Sequence, residues 1–142
     1  MKKVLLTAAI AFATLFASAQ DIMVVSTYDG DLEGAEQITA NIGVGYQVMD
    51  GITVGVVKAK DALGEDSFEL FGRYDLGAYM ENAYASVQLP TEDATDNIVL
   101  GVGYTLTVWN SLSVEPNYTM PVNEDATGNR EGSFNIGVAY RF

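Results

Sequence analysis

Eight antiparallel strands closed up-and-down into a single barrel is the all-β fold that the sequence predicts. Three observations carry it: apolar residues recur at every second position, tight and long connections alternate strictly, and the residues between the apolar ones are mostly small or polar rather than charged. No segment keeps its apolar positions at helical spacing for long, and 142 residues suit one domain.

The elements follow in order. Lys2 and Lys3, an apolar run from Val4 to Phe16 and the small residues Ala17-Ser18-Ala19 predict a cleaved secretory signal over residues 1–19, which leaves 20–142 as the barrel domain. The run is too short, and too diluted with Ala and Thr, for a stable transmembrane helix. Ile22–Tyr28 is the first strand, with no legible facing. In the second, Gln37–Met49, the residues Ile38, Ala40, Ile42, Val44, Tyr46 and Val48 alternate with Thr39, Asn41, Gly43, Gly45 and Gln47. Ile52–Lys60, Ser67–Asp75 and Ala78–Leu89 alternate more weakly. Asn97–Val108 is regular again, through Ile98, Leu100, Val102, Tyr104, Leu106 and Val108. Leu112–Met120 is the seventh strand. The eighth places Phe134, Ile136, Val138, Tyr140 and Phe142 against Ser133, Asn135, Gly137, Ala139 and Arg141.

Three connections have the chemistry of tight hairpins: Met49-Asp50-Gly51, Asp75-Leu76-Gly77 and Trp109-Asn110-Ser111. Four are long and polar: Asp29–Glu36, Asp61–Asp66, Pro90–Asp96 and Pro121–Gly132. Strict alternation sends every long loop to one end of the barrel, and thirteen of the nineteen acidic residues go with them. Short turns at one end and long loops at the other are the asymmetry of a membrane barrel.

Period-two alternation fits two kinds of barrel, a soluble one with an apolar interior and a membrane one with an apolar exterior. The non-apolar face decides between them. It is rich in Gly, Ser, Thr and Asn, which suits a narrow lumen better than a solvated exterior, and strand glycines belong where space is tight. Charges within strands then mark the lumen: Glu69, Arg73, Glu115 and Arg141 point inward by phase. A tight turn after Tyr74 would set Arg73 opposite Glu81, adding Glu81 to the lumen network. The same register turns Asn82, Ser86 and Gln88 outward, a conflict that a bulge near Asn82 would relieve. Phe71 and Gln47 are available to fill the lumen, while Gly43, Gly45, Gly101, Gly103 and Gly137 withdraw volume from it and could leave water-filled pockets.

An internal repeat sharpens the layout. Ile42-Gly43-Val44-Gly45-Tyr46, Leu100-Gly101-Val102-Gly103-Tyr104 and Ile136-Gly137-Val138-Ala139-Tyr140 are near copies, with a degenerate version ending in Tyr74. Each runs towards the tight-turn end, so Tyr46, Tyr74, Tyr104 and Tyr140, joined by Trp109, form a candidate interfacial girdle. In a soluble barrel the same ring would belong to the core. Glu-Asp-Ala-Thr recurs at Glu92–Thr95 and Glu124–Thr127 and reads as hairpin duplication.

With its terminal Phe142 preceded at steps of two by Tyr140, Val138 and Ile136, the chain resembles the small outer-membrane β-barrel family of the OmpA-transmembrane and OmpX type. The resemblance covers the whole of residues 20–142. It implies an eight-stranded transmembrane barrel in a Gram-negative outer membrane, bathed in outer-membrane lipid. It also implies that Ile136, Val138, Tyr140 and Phe142 form the signal read by the barrel assembly machinery. Unlike family members with a peptidoglycan-binding extension, this sequence carries no further domain after the barrel, so no cell-wall tether is implied.

Composition closes most enzyme classes. Without Cys or His there are no disulfides, thiol nucleophiles, Ser-His pairs or ordinary zinc sites. A formal charge of −12 with no basic stripe argues against nucleic acid. Gly43-Val44-Gly45 and Gly101-Val102-Gly103 lack the third glycine and the following helix of a dinucleotide site. Asp29-Gly30-Asp31-Leu32-Glu33-Gly34 opens like a calcium loop, but Ala40 stands where the bidentate Glu belongs, so a solvated acidic loop is the first reading and weak divalent-cation binding the alternative. Asn117-Tyr118-Thr119 matches a glycosylation sequon inside a strand. No catalytic, cofactor or metal residues are assigned. The expected role is a non-enzymatic, monomeric barrel, structural or displaying four acidic loops to an external ligand or surface partner. A small pore for ions or solutes is the alternative, and a soluble exported barrel for an apolar ligand the second.

Overall fold

The computed structural model describes residues 22–60, 63–91 and 97–142; the predicted signal over 1–19 and the Glu92–Thr95 copy of the short repeat lie outside the described residues. Its elements are β1 (Ile22–Thr27), α1 (Glu36–Thr39), β2 (Gly43–Met49), β3 (Ile52–Lys60), β4 (Asp66–Asp75), β5 (Ala83–Pro90), β6 (Val99–Tyr104), β7 (Leu106–Trp109), β8 (Leu112–Pro121) and β9 (Ser133–Arg141). Segments β6 and β7 are one strand interrupted at Thr105. Both face β8 in a single register that sets Thr105 opposite Glu115, while the Thr105 N–H donates to the Asn82 carbonyl at 2.8 Å. Strands adjacent in the chain pair antiparallel, and β1 pairs with β9, so the sheet closes into an eight-stranded up-and-down barrel.

Turn chemistry sets the registers. Asp50-Gly51 joins β2 to β3 with Gly51 at φ +76°, a left-handed conformation that a side chain would strain. The ladder shifts between Gln47 and Met49 beside it, a bulge that tightens the local twist. Asn110-Ser111 does the same for β7 and β8, with Asn110 at φ +45°. From there β3 and β4 pair without a shift, Ile52 opposite Tyr74 through to Lys60 opposite Asp66.

Two expectations are corrected. Asp75-Leu76-Gly77 is not a tight turn. Leu76 donates to Ala83 O at 2.8 Å, the N–H groups of Tyr79 and Met80 both donate to Leu76 O at 2.8 Å, and the compact turn ends at Asn82 with φ +63°. Ala78–Asn82 is therefore turn, β5 begins at Ala83, and Arg73 stands opposite Ser86 instead of Glu81. An odd shift in register reverses every side chain of a strand, so Ser86 and Gln88 face the lumen and Glu81 is exposed outside it. No bulge is needed. Likewise the alternation from Gln37 to Ile42 does not extend β2. On one side β2 pairs with β1 only as far as Val25 opposite Gly43. Beyond that the backbone satisfies itself in α1, with Thr39 N–H on Ala35 O and Ala40 N–H on Glu36 O, and Ser26 Oγ donating to the Ile38 carbonyl.

The polarity of the wall is the inverse of a soluble barrel's. Val54, Val56, Leu70, Leu100, Val102, Leu106, Val108, Phe134 and Ile136 are all exposed on the outer face. Inside, Thr53, Arg73, Ser113 and Glu115 are buried. The inward glycines are seats for rings. Gly45, Gly55 and Phe71 stand opposite one another across three strands, and a Cβ at Gly45 or Gly55 would lie 2.8 or 2.6 Å from the Phe71 ring. At Gly55 it would also meet the Val44 carbonyl oxygen. Gly55→Ala should accordingly lower stability by about 1–3 kcal/mol through overpacking against backbone. The measurement is the urea midpoint of the folded barrel; an unchanged midpoint would mean that the Phe71 seat is loose.

Candidate functional site

Towards the turn end, the lumen holds a charged bar. Arg73 on β4 and Glu115 on β8 come from strands that do not pair, separated in the ring by β5 and the β6–β7 strand. Nη1 donates to Glu115 Oε2 at 2.7 Å and Nη2 to Oε1 at 2.9 Å, a bidentate pair with both residues over nine-tenths buried. Thr105, at the interruption between β6 and β7, accepts from Arg73 Nη2 at 2.8 Å and donates to Glu115 Oε1 at 3.0 Å. The guanidinium lies 3.6 Å over the ring of Tyr84, itself buried. Met23 Sδ is 3.9 Å from Nη1. Arg73 Nε makes no hydrogen bond among the described residues; Asp75 Oδ1 lies 3.7 Å away. Paired charge, hydroxyl and cation–π contact together compensate the desolvation that burial imposes on each ion.

The bar divides the interior. Above it a cavity of about 290 Å³ reaches the loop end; below it one of about 240 Å³ lies between Arg73, Asp75, Asn82, Thr105 and Arg141. Of the predicted lumen network, the structure brings only Arg73 and Glu115 together. Glu69 sits on the loop side, where it accepts from Gln88 Nε2. Arg141 sits on the turn side, its Nη1 3.5 Å from Gln47 Oε1. Glu81 belongs to the turn between β4 and β5, outside the lumen.

Tyr84 and Met23 are not legible as lumen residues, whereas Thr105 follows from the alternation of Asn97–Val108. The signal for Tyr84 lay in its own strand, where Tyr84, Ser86 and Gln88 alternate with Ala83, Ala85, Val87 and Leu89. Gly103 complements it, since a Cβ there would collide with the Tyr84 ring.

On the outer face, Tyr46, Tyr74, Tyr104 and Tyr140 stand exposed towards the turn end of β2, β4, β6 and β9, and Trp109 is more exposed still. Ile136, Val138 and Tyr140 form one row on β9, and Phe142 continues it. The Tyr140 and Phe142 rings meet edge to face with centroids 5.0 Å apart, and the Phe142 N–H donates to Ile22 O at 3.0 Å.

The loop between β8 and β9 is organised by one carboxylate. Asp125 Oδ1 accepts from the Thr127 hydroxyl at 2.6 Å and from the Thr127 and Asn129 N–H groups at 2.8 and 3.0 Å. The Thr127 hydroxyl, followed by these backbone donors, holds the carboxyl below its ordinary range. A lowered folded-state value means that the turn is favoured above the free carboxyl's pKa and lost only as pH falls through the lower one. In an acid titration the Thr127 and Asn129 amide shifts should hold through the range where free Asp protonates, about pH 4, and move only below it. A transition centred on the ordinary value would refute this. No group of three or more Asp or Glu that could hold a metal ion occurs among the described residues.

No family model, curated protein or solved structure matches the chain.

Proposed function

We infer that the chain is a non-enzymatic outer-membrane β-barrel, exported by its N-terminal signal and acting as a structural or surface-interaction protein. One observation carries the reading: the closed barrel exposes an apolar outer wall and buries an ion pair inside. Water would solvate neither arrangement well, whereas lipid outside and a polar lumen inside satisfy both. The tyrosines at the turn end and Trp109 supply the interfacial girdle. The row Ile136, Val138, Tyr140, Phe142 supplies the contact for the assembly machinery. The loops, rich in Asp and Glu, face the medium, where they meet an external ligand or surface partner, and the barrel acts as a monomer.

Membrane fractionation with gel migration before and after boiling tests this. The chain should fractionate with the outer membrane and shift on heating. Recovery in the aqueous fraction without detergent would favour the soluble apolar-ligand barrel. The pore alternative is disfavoured by the Arg73–Glu115 bar, which lies between the two cavities. In planar bilayers at high salt the purified protein should give silence or rare small flickers; stable steps of porin size would promote the transport reading.

A further inference from the structure

Arg73 and Lys58 are the cations that line the cavity above the bar, and each already has its carboxylate. Arg73 is held by Glu115 at the floor, and Lys58 Nζ lies 3.3 Å from Asp66. A third carboxylate, Glu69, has no cation. It is half-buried on the inward row of β4 that continues through Phe71 to Arg73. In register it stands between Val57 of β3 and Pro90 of β5, at the height of the cavity that Val57, Ala59 and Phe71 line. Gln88 Nε2 donates to its Oε2, while Oε1 accepts no hydrogen bond among the described residues. An ionised carboxylate has about four acceptor sites, so one amide does not saturate it. The neighbouring loop sequences 61–66 and 91–96 contain no Lys or Arg. The lumen therefore keeps one unmatched negative charge on its loop side.

The amides on the wall turn their donor side onto the protein. Asn117 Nδ2 donates to the Glu115 carbonyl at 3.0 Å, and Gln88 spends its Nε2 on Glu69. Asn135 Nδ2 is shared between Thr119 Oγ1, the Ser133 carbonyl and Asn117 Oδ1 at 3.1, 3.3 and 3.4 Å. What remains for a ligand is chiefly acceptor: Glu69 Oε1, and Asn135 Oδ1, which receives no hydrogen bond among the described residues. An ammonium group carries three donors and no acceptor, the complement of that lining. The loops at the mouth hold thirteen of the nineteen acidic residues, a field that gathers cations and repels anions. About 290 Å³ is at the small end of ligand pockets, which suits a short chain.

We propose that this upper cavity binds a small aliphatic primary ammonium compound, its ammonium on Glu69 Oε1 and its carbon chain along Val57 and Phe71. The cation enters from the loop end and stops above the Arg73–Glu115 bar, whose guanidinium repels it, so the site is a blind pocket and not a passage. Charge selects the ligand. An alcohol of the same length lacks the ion pair, and an acid of the same length is repelled by Glu69.

The test uses the full barrel in nanodiscs of phosphatidylcholine, which has no net charge to collect amines. Side-chain amide resonances of Gln88, Asn117 and Asn135 are followed by NMR at constant ionic strength. The probes are n-butylamine and 1,4-diaminobutane, with 1-butanol and butyrate as neutral and anionic counterparts and magnesium and potassium chlorides for an inorganic ion. At least one amine should give saturable shifts on the Gln88 amide, with butanol and butyrate about tenfold weaker or more. Glu69→Gln, neutral and of the same shape, should weaken amine binding about tenfold, read on Asn117 and Asn135. Asp31→Asn, which removes an exposed loop charge, should change it less than about twofold. Folding of both variants is checked by heat-shifted migration, and the comparison of probes on the unchanged sequence decides the role of charge even where a variant does not fold. The proposal is overturned if no amine gives saturable shifts up to about 100 mM, a range in which weak millimolar sites still register. It is also overturned if butanol or the inorganic ions shift the same amides equally, or if folded Glu69→Gln binds as the parent does. Equal weakening by Asp31→Asn would assign the effect to the loops and overturn it too. A barrel that inserts in the membrane but binds no amine leaves the membrane reading intact.

Discussion

Arg73→Met should destabilise the folded barrel by about 3–5 kcal/mol. The substitution keeps an unbranched stem but removes the guanidinium, and strands the Glu115 carboxylate, 4% exposed, on the hydroxyls of Thr105 and Tyr84. Glu115→Leu should be comparably costly, because it leaves the guanidinium on Tyr84 with only the Asp75 carboxylate, 3.7 Å from Nε, as counter-charge. The double variant should recover most of the loss, since two well-packed apolar residues carry no desolvation penalty. Urea unfolding of all four proteins in the same lipid gives the coupling energy directly. Additive losses would mean that water already reaches the pair and screens it.

Val102→Arg should cost roughly 2–4 kcal/mol in a bilayer, the charge of a mid-depth position on the lipid face. Val102 is 57% exposed on the outer wall, while its neighbours Gly101 and Gly103 face inward against Ser86 and Tyr84. Moving one residue along should therefore change the mechanism of failure. Gly103→Trp would overfill the lumen at the Tyr84 ring, and the barrel should not close. Spin labels at 100 and 102 distinguish the environments: lipid contact is expected at both. If they report water, or if Val102→Arg is tolerated in the bilayer, the outer wall is a solvated one and the membrane reading falls.

Where local pattern and neighbouring strands agree, the fold was legible. Ile52–Lys60 was placed to the residue, because Asp50-Gly51 pins one end and regular alternation runs through the rest. Between β4 and β5 two local signals conflict, and the strand pattern overrides the turn. Gly77 suggested a tight hairpin, yet Ala83 to Leu89 alternates cleanly only in the other register. The charge pair shows a deeper limit. Phase in a strand reveals that Arg73 and Glu115 both point inward, but their meeting depends on which strands face each other across a closed ring. That is a property of closure and of strand order, not of any segment. The helical turn α1 has the same character: Ile38 continues the apolar alternation, but no β1 residue is paired beside it.

The seam between β1 and β9 has a consequence for how the molecule comes to exist. Each hairpin, such as β3 with β4, gathers residues near in sequence and can form with little loss of chain entropy. Met23 against Arg141 and Thr27 against Gly137 cannot; these contacts wait for nearly the full chain and dominate its contact order. Until they form, β1 and β9 are open edges of a sheet already apolar on one face, the arrangement most prone to pair with a second chain. Folding vectorially, strand by strand from the N-terminus, would prolong that exposure. The topology instead favours a chain kept unpaired until its last strand is available, with circularisation of the sheet as the late, rate-limiting event.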